Sequence, residues 1–408
     1  MTRTGVAVTG LGMVTPAGVG AEATWEGVRD GRPAASPDPR LAGLPVDFSC
    51  RVPGFDPGAH LGRRALWRTD RCSQLAVAAA REGVRDAGLD PGAWDGSRVA
   101  VVVGTCFGGQ QACEDGHRDL LRDGHEGVSP ALVPKMIPSM PAAEVSMDLK
   151  ARGMSLSVST ACASGAGAIA LGRALLLSGA CDVVVAGGAD AAVTPLIAVG
   201  FQRMGTLSGR RDDPAAASRP FDATRDGFVL GEAAAVLVLE RADDARRRGA
   251  VPRAVLAGCG STSDAYHVTA PHPEHLGAEA ALRAALAEAG AAPREVDHVN
   301  AHGTSTRIND STEAALLARV LPHAPSVTSA KGALGHCLGA GGAVEAALTV
   351  LTLQHRLVPP TANLETADPV FELDLVHKAP REQEIGLAVS NAFGFGGHNE
   401  VLAFRPWS

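Results

Sequence analysis

The chain has 408 residues, of which 46% are apolar and 20% charged, and a formal net charge of -7. This length suits two or three core-sized units, and the composition is that of a folded globular protein rather than a disordered one. The negative charge argues against bulk nucleic-acid binding, and no apolar run reaches the ~18 residues of a membrane span.

The N-terminal stretch MTRTGVAVTGLGMVTPAG enters a strand-like run at once, with no long apolar leader or cleavage site. No signal peptide and a cytoplasmic location are expected. Strands are expected over residues 5–9, 99–103, 155–159, 183–186, 234–239, 254–258, 296–300, 326–328 and 386–389. Helices are expected over residues 68–87, 165–178, 277–288, 311–320 and 342–353. Continuous apolar strands between Ala-rich helices point to an α/β layered fold with buried sheets. The Pro-, Asp- and Gly-rich residues 31–60 read as a long surface connection, and residues 212–220 read similarly.

The segment SLSVSTACASGAGAIALGRALL runs strand, small-residue turn, helix, and SVTSAKGALGHCLGAGGAVEAALTVL does the same further on. This echo suggests a duplicated fold, although any Ala/Gly-rich strand–helix unit resembles another. The boundary is expected near RRGAVPR, dividing residues 1–250 from 251–408.

The eight cysteines contain no C-x-x-C pair, which argues against a metal knuckle or a disulfide scaffold. Cys162 lies in STACASGAG, where a strand turns into a helix. A helix N-terminus favours thiolate there and offers backbone donors to an oxyanion. A buried cysteine in an Ala-rich helix is the plainer alternative. His302 in NAHGTSTRIND and His336 in KGALGHCLGAGG stand at strand–helix junctions, placed either for catalysis or as structural histidines. Lys331 is one of only four lysines (with Lys135, Lys150 and Lys378) and lies in an apolar, Gly-rich stretch. It either tunes a neighbouring histidine, with Glu345 as partner, or sits on the surface. Gly394, Phe395 and Gly396 form a loop able to take positive φ and to move, or an ordinary turn. No P-loop or dinucleotide fingerprint is present.

In order, VAVTGLGMVTPAG, VSTACASG, RPFDATRDGFVLGEAAAVLVLE, SDAYHVTAPHP, NAHGTST, SAKGALGHCLGAGGAVE and SNAFGFGGHN resemble the β-ketoacyl-ACP synthases across essentially the whole chain. The branch resembled is synthase I/II and the type II polyketide ketosynthases. The resemblance implies the thiolase fold, two similar α/β halves in a five-layered α-β-α-β-α core. It implies Cys162 as acyl-accepting nucleophile and His302 and His336 as stabilisers of the enolate left when malonyl-ACP loses CO2. It further implies Lys331 as a supporting residue paired with Glu345. The Cys162 and Phe395 N–H groups would form the oxyanion hole, and Phe395 would gate the site, flanked by Gly394 and Gly396. No cofactor or metal is implied. The implied partners are an acyl carrier protein, whose phosphopantetheine arm delivers the acyl group, and a second subunit. That subunit would make either a homodimer or a heterodimer with a chain-length factor.

Two departures from the family pattern stand out. Arg307 occupies a common proline position at the pocket rim. Phe107 replaces a smaller aliphatic residue of the acyl pocket, where Met140 is also expected. Both lean towards a type II polyketide synthase subunit rather than a housekeeping fatty-acid enzyme. Carrier docking is expected at Arg63, Arg64 and Arg68, or these form a solvated face. Lys135 and Arg203 would compensate for Glu126, which stands where some relatives have a basic pair. A chain-length factor lacks the nucleophilic cysteine, a thiolase uses two cysteines and one histidine, and the type III initiating synthase uses Cys-His-Asn. Cys162 with both histidines disfavours all three.

Overall fold

The computed structural model describes residues 5–407, apart from the side chain of Arg64. Ten strands carry the architecture: β1 Val6–Thr15, β2 Val99–Gly104, β3 Ser155–Val158, β4 Val183–Asp190, β5 Ala233–Arg241, β6 Ala254–Ser263, β7 His298–Asn300, β8 Ser326–Thr328, β9 Ala388–Gly394 and β10 His398–Pro406. Six helices matter to the site: α1 Arg71–Asp86, α2 Met140–Asp148, α3 Ser164–Leu177, α4 Leu276–Glu288, α5 Arg307–Val320 and α6 Gly341–His355.

The strands join a twelve-stranded sheet in which β3-β2-β4-β5-β1 is followed by β6-β10-β9-β7-β8. The pairing repeats with the order reversed. Passing outward from β1, the pairs are antiparallel with β5, antiparallel to β4, then parallel through β2 and β3. Passing outward from β6, they are antiparallel with β10, antiparallel to β9, then parallel through β7 and β8. Along the sheet the two halves join where Val6–Val8 pair with Ala254–Leu256. The internal echo in the sequence is therefore a repeated topology.

Strands such as β1 and β4 are buried along nearly their whole length, as expected for sheets covered on both faces. Helices α1 and α2 cover one half, α4 and α5 the other, and α3 and α6 lie between the halves. This is the five-layered α-β-α-β-α arrangement of the thiolase fold. The central helices cross closely because they meet at glycines. A Cβ on Gly165 would lie 2.8 Å from the Ala343 nitrogen, and one on Gly342 would lie 3.0 Å from the Ala166 nitrogen. Side chains at either crossing would push the two central helices apart.

Two readings of the chain need correction. Residues 31–60 are not a surface connection, because Leu41, Phe48, Cys50, Val52 and Phe55 are buried in the core. In the stretch 212–220, Ser218, Arg219 and Pro220 are also buried. Their loop-like composition hides short apolar anchors spaced between turns. Among the described residues no helix is long and apolar enough to cross a membrane.

Candidate active site

Strand β3 ends at Val158, and the chain turns through Ala161 at φ 50° before α3 begins. The Ser164 hydroxyl clamps this left-handed turn, donating to the Ala161 carbonyl (2.6 Å) and accepting from the Thr160 N–H (3.0 Å). Cys162 follows, 9% exposed, just before a helix that has no side-chain cap. Uncapped N–H groups at that end favour a negative sulfur or oxyanion.

Hydrogen bonding from the Cys106 thiol, then the charges of His336 and Lys331, holds the Cys162 thiol well below its ordinary value, against burial. Burial pushes the thiols of Cys50, Cys72, Cys259 and Cys337 upward instead. Cys162 is therefore the cysteine expected to react with iodoacetamide at neutral pH. Its alkylation rate should reach its plateau at a pH well below the ordinary thiol value and fall at lower pH, where the depressed thiol takes up its proton. A rate that climbs only above the ordinary thiol value would contradict this.

The two histidines face each other at 5.6 Å between ring centroids, nearly perpendicular, and both are buried. The Lys331 ammonium donates to the His302 carbonyl (2.6 Å) and lies 3.4 Å from His302 Nδ1. It also ion-pairs with Glu345, as the sequence suggested. An ammonium has only donors, so Nδ1 of His302 must accept and the ring proton sits on Nε2. Burial, then Lys331, depresses the His302 pKa well below its usual value, keeping the ring neutral. A neutral Nε2–H is the donor that a developing enolate needs. The His336 ring lies across from Phe228 (5.1 Å, edge-on), and its charge helps to lower the Cys162 thiol. Thiolate, backbone donors and two imidazoles thus converge on one cavity of roughly 490 Å³, lined also by Phe393, Phe395 and Thr304.

The family models for the β-ketoacyl synthase N-terminal and C-terminal domains match residues 3–245 and 253–365. The chain belongs to the β-ketoacyl synthase family. A 3-oxoacyl-[acyl-carrier-protein] synthase 2 from Synechocystis sp. is 40% identical, over 98% of this chain and 98% of the relative. The ishigamide ketosynthase/chain length factor structure superposes with a TM-score of 0.94 at 34% identity, covering 100% of both chains. A type II PKS ketosynthase in complex with its acyl-carrier protein, bound to the hexaketide, gives 0.91 at 28% identity, again over 100% of both chains. The protein is a ketosynthase-fold acyltransferase of the β-ketoacyl-ACP synthase type.

Buried acids that the sequence reading missed hold the loops of this ketosynthase. Glu313 accepts the N–H groups of His302 (2.9 Å) and Gly303 (2.8 Å) and the Asn391 amide (3.1 Å). Asp190 accepts the N–H groups of Cys106 and Gly339, both at 2.8 Å. Burial raises the Asp190 carboxyl to about 6. A usable signal was present: Asp310 and Glu313 sit on the helix face that also carries Ala314 and Leu317, where charge is unexpected.

Not every expected residue joins the cavity. Gly394 and Phe395 line it, but the Gly396 N–H donates to Val268 (2.8 Å) and is unavailable to an oxyanion. The Cys162 and Phe395 N–H groups donate to no loop acceptor among the described residues. Phe107 does not line the cavity; it packs in the apolar cluster behind it with Leu338, Phe201 and Phe395. Met140, half-buried at the start of α2, is also outside the lining.

Of the docking arginines, Arg63 is exposed, the Arg64 side chain lies outside the described residues, and Arg68 is spent on a buried Glu144 at 2.7 Å. Lys135 lines a separate polar cavity with Asp70, Asp115 and Asp119. Arg203 is exposed beside Met204, and Arg307 stands with Met204 and Ile308 at the mouth of the main cavity.

Proposed function

We propose that this chain catalyses decarboxylative Claisen condensation between an acyl group on Cys162 and malonyl-ACP, as the ketosynthase subunit of a type II polyketide synthase. The observation that carries the chemistry is the convergence of a depressed thiol with two histidines, one of them, His302, held neutral by burial and by the Lys331 ammonium. The Cys162 thiolate attacks the carrier-bound thioester, and the Cys162 and Phe395 N–H groups receive the tetrahedral oxyanion. The carrier thiol leaves. Malonyl-ACP then loses CO2 while His302 and His336 donate to its thioester oxygen, which becomes the enolate. The enolate carbon attacks the acyl-cysteine and the thiolate departs. Loss of CO2 drives the step, so no cofactor or metal has a role beyond the carrier's phosphopantetheine arm.

The polyketide reading is supported by Phe107 behind the site, Arg307 at its mouth and the likeness to the ishigamide ketosynthase/chain length factor. The likeness to 3-oxoacyl-[acyl-carrier-protein] synthase 2 favours the alternative, a fatty-acid enzyme. A second subunit is supported by β3, an edge strand flanked by exposed Met154 (49%), Met147 (56%) and Val133 (60%). Such an edge invites a second chain of the same fold. Purification alone separates the readings. A polyketide subunit is expected to need a cysteine-lacking partner for activity, whereas an active homodimer elongating fatty acyl-ACP would favour the alternative.

Acyl preference should respond to Phe107. Its ring packs against the same apolar cluster as the cavity-lining Phe395, a cluster that includes Leu338, so Phe107→Ala should open space for longer chains. Competing acyl-ACPs of different lengths, read by the mass of acylated Cys162, would reveal it. An unchanged preference would remove Phe107 from the specificity argument.

A further inference from the structure

A second thiol stands at the nucleophile. Strands β2 and β3 run parallel with Gly104 opposite Val158. Immediately beyond, the Thr105 N–H donates to the Val158 carbonyl (3.0 Å), and the Ser164 hydroxyl lies 3.4 Å from the Thr105 carbonyl. The loops leaving the two strands are thereby tied together, which sets Cys106 on one beside Cys162 on the other, where the Cys106 thiol is the largest influence on the Cys162 thiol. Buried Asp190 fixes the Cys106 backbone through its N–H. Cys106 does not line the main cavity. Nothing in the condensation uses its thiol.

We propose that Cys106 is a resolving thiol, which captures the peroxide-oxidised nucleophile as a reversible Cys106–Cys162 disulfide. The inference rests on Cys162 being the reactive thiolate of the proposed function. A hydroperoxide is the oxidant. The Cys162 sulfur attacks its terminal oxygen, the O–O bond breaks, and sulfenic acid and an alkoxide or hydroxide result. The Cys106 sulfur then attacks the sulfenic sulfur, an S–S bond forms, and the hydroxyl leaves with the Cys106 proton as water. An adjacent thiol acts at an effective concentration far above that of free thiols. It therefore competes with further oxidation to sulfinic and sulfonic acids, which thiols do not reverse. A dithiol reductant restores both thiols by exchange. While the disulfide stands, Cys162 accepts no acyl group, so condensation stops without loss of the enzyme.

The test treats the purified protein with excess hydrogen peroxide, then dithiothreitol, following intact mass, non-reducing peptide maps and condensing activity relative to each variant's own untreated rate. Wild type should lose two hydrogens, yield a linked Cys106–Cys162 peptide pair, and regain most activity on reduction. Cys106→Ser and Cys106→Ala should instead gain two or three oxygens on Cys162 and stay inactive. The mass readout holds even where a variant's activity is low. Wild type that gains oxygens without the linked peptide, or Cys106 variants that recover as fully as wild type, would overturn the proposal. Iodoacetamide labelling before oxidation separates the two readings. If Cys162 is not the alkylated residue, both fall; if it is and no disulfide forms, this inference alone falls.

Discussion

Replacing Cys162 with alanine is expected to abolish condensation, a loss on the order of 10⁵-fold or more for a covalent nucleophile. No other cysteine can substitute. Cys50, Cys72 and Cys337 are buried with thiols pushed up by desolvation, and Cys106, though adjacent, still has burial and the Asp190 charge against its ionisation when Cys162 is gone and does not line the cavity. The turn at Ala161 and its Ser164 clamp use backbone atoms and the Ser164 hydroxyl only, so the alanine variant should fold normally. Cys162→Gln sharpens the experiment. Its amide occupies the acyl position, so malonyl-ACP meets a site that looks acylated and should still lose CO2 without forming a new carbon–carbon bond. The measurements are acyl-enzyme mass, CO2 release and condensed product. Full condensing activity in Cys162→Ala would sink the mechanism.

Much of this site was legible in the sequence because its parts sit where local signals are strong. Strand–turn–helix junctions rich in small residues mark Cys162 and His336, and a rare lysine in an apolar run marks Lys331. Residues 326–328 form the expected strand, and the expected helices differ from those observed by at most a few residues at their ends. What escaped depends on long-range contact. Asp190 ties the loop after β2 to Gly339, far apart in sequence, whereas Glu313 on α5 turns back to the His302 loop just before it. Strand β10 was not among the expected strands, because the Gly-rich run before it was read only as a loop or turn, yet its residues 399–404 are buried against β6 and β9. Phe107 was read as pocket wall from its family position alone. Only packing places it one layer back, and only packing shows that Glu144 already engages Arg68.

Deleting His302 should separate decarboxylation from acyl transfer. His302→Ala removes one Nε2–H donor to the enolate and should cut CO2 release about 10²–10³-fold, the usual loss for one preorganised oxyanion donor. Acylation of Cys162 should fall much less, because its charge is held by Cys106, His336 and Lys331 rather than by His302. Lys331→Ala should be worse for the fold than for any single step. Lys331 is 2% exposed and ion-pairs with Glu345, whose other carboxylate oxygen already has no partner among the described residues. Removing the ammonium strands a buried carboxylate, a change of about 3–5 kcal/mol in comparable buried pairs. Thermal unfolding reads that cost. The double variant Lys331→Met/Glu345→Leu removes both charges and should recover most stability. Activity should not return with it, because His302 Nδ1 has then lost the donor that fixed its tautomer. Recovery of stability and decarboxylation together would mean that the lysine only balances Glu345 and does not orient His302.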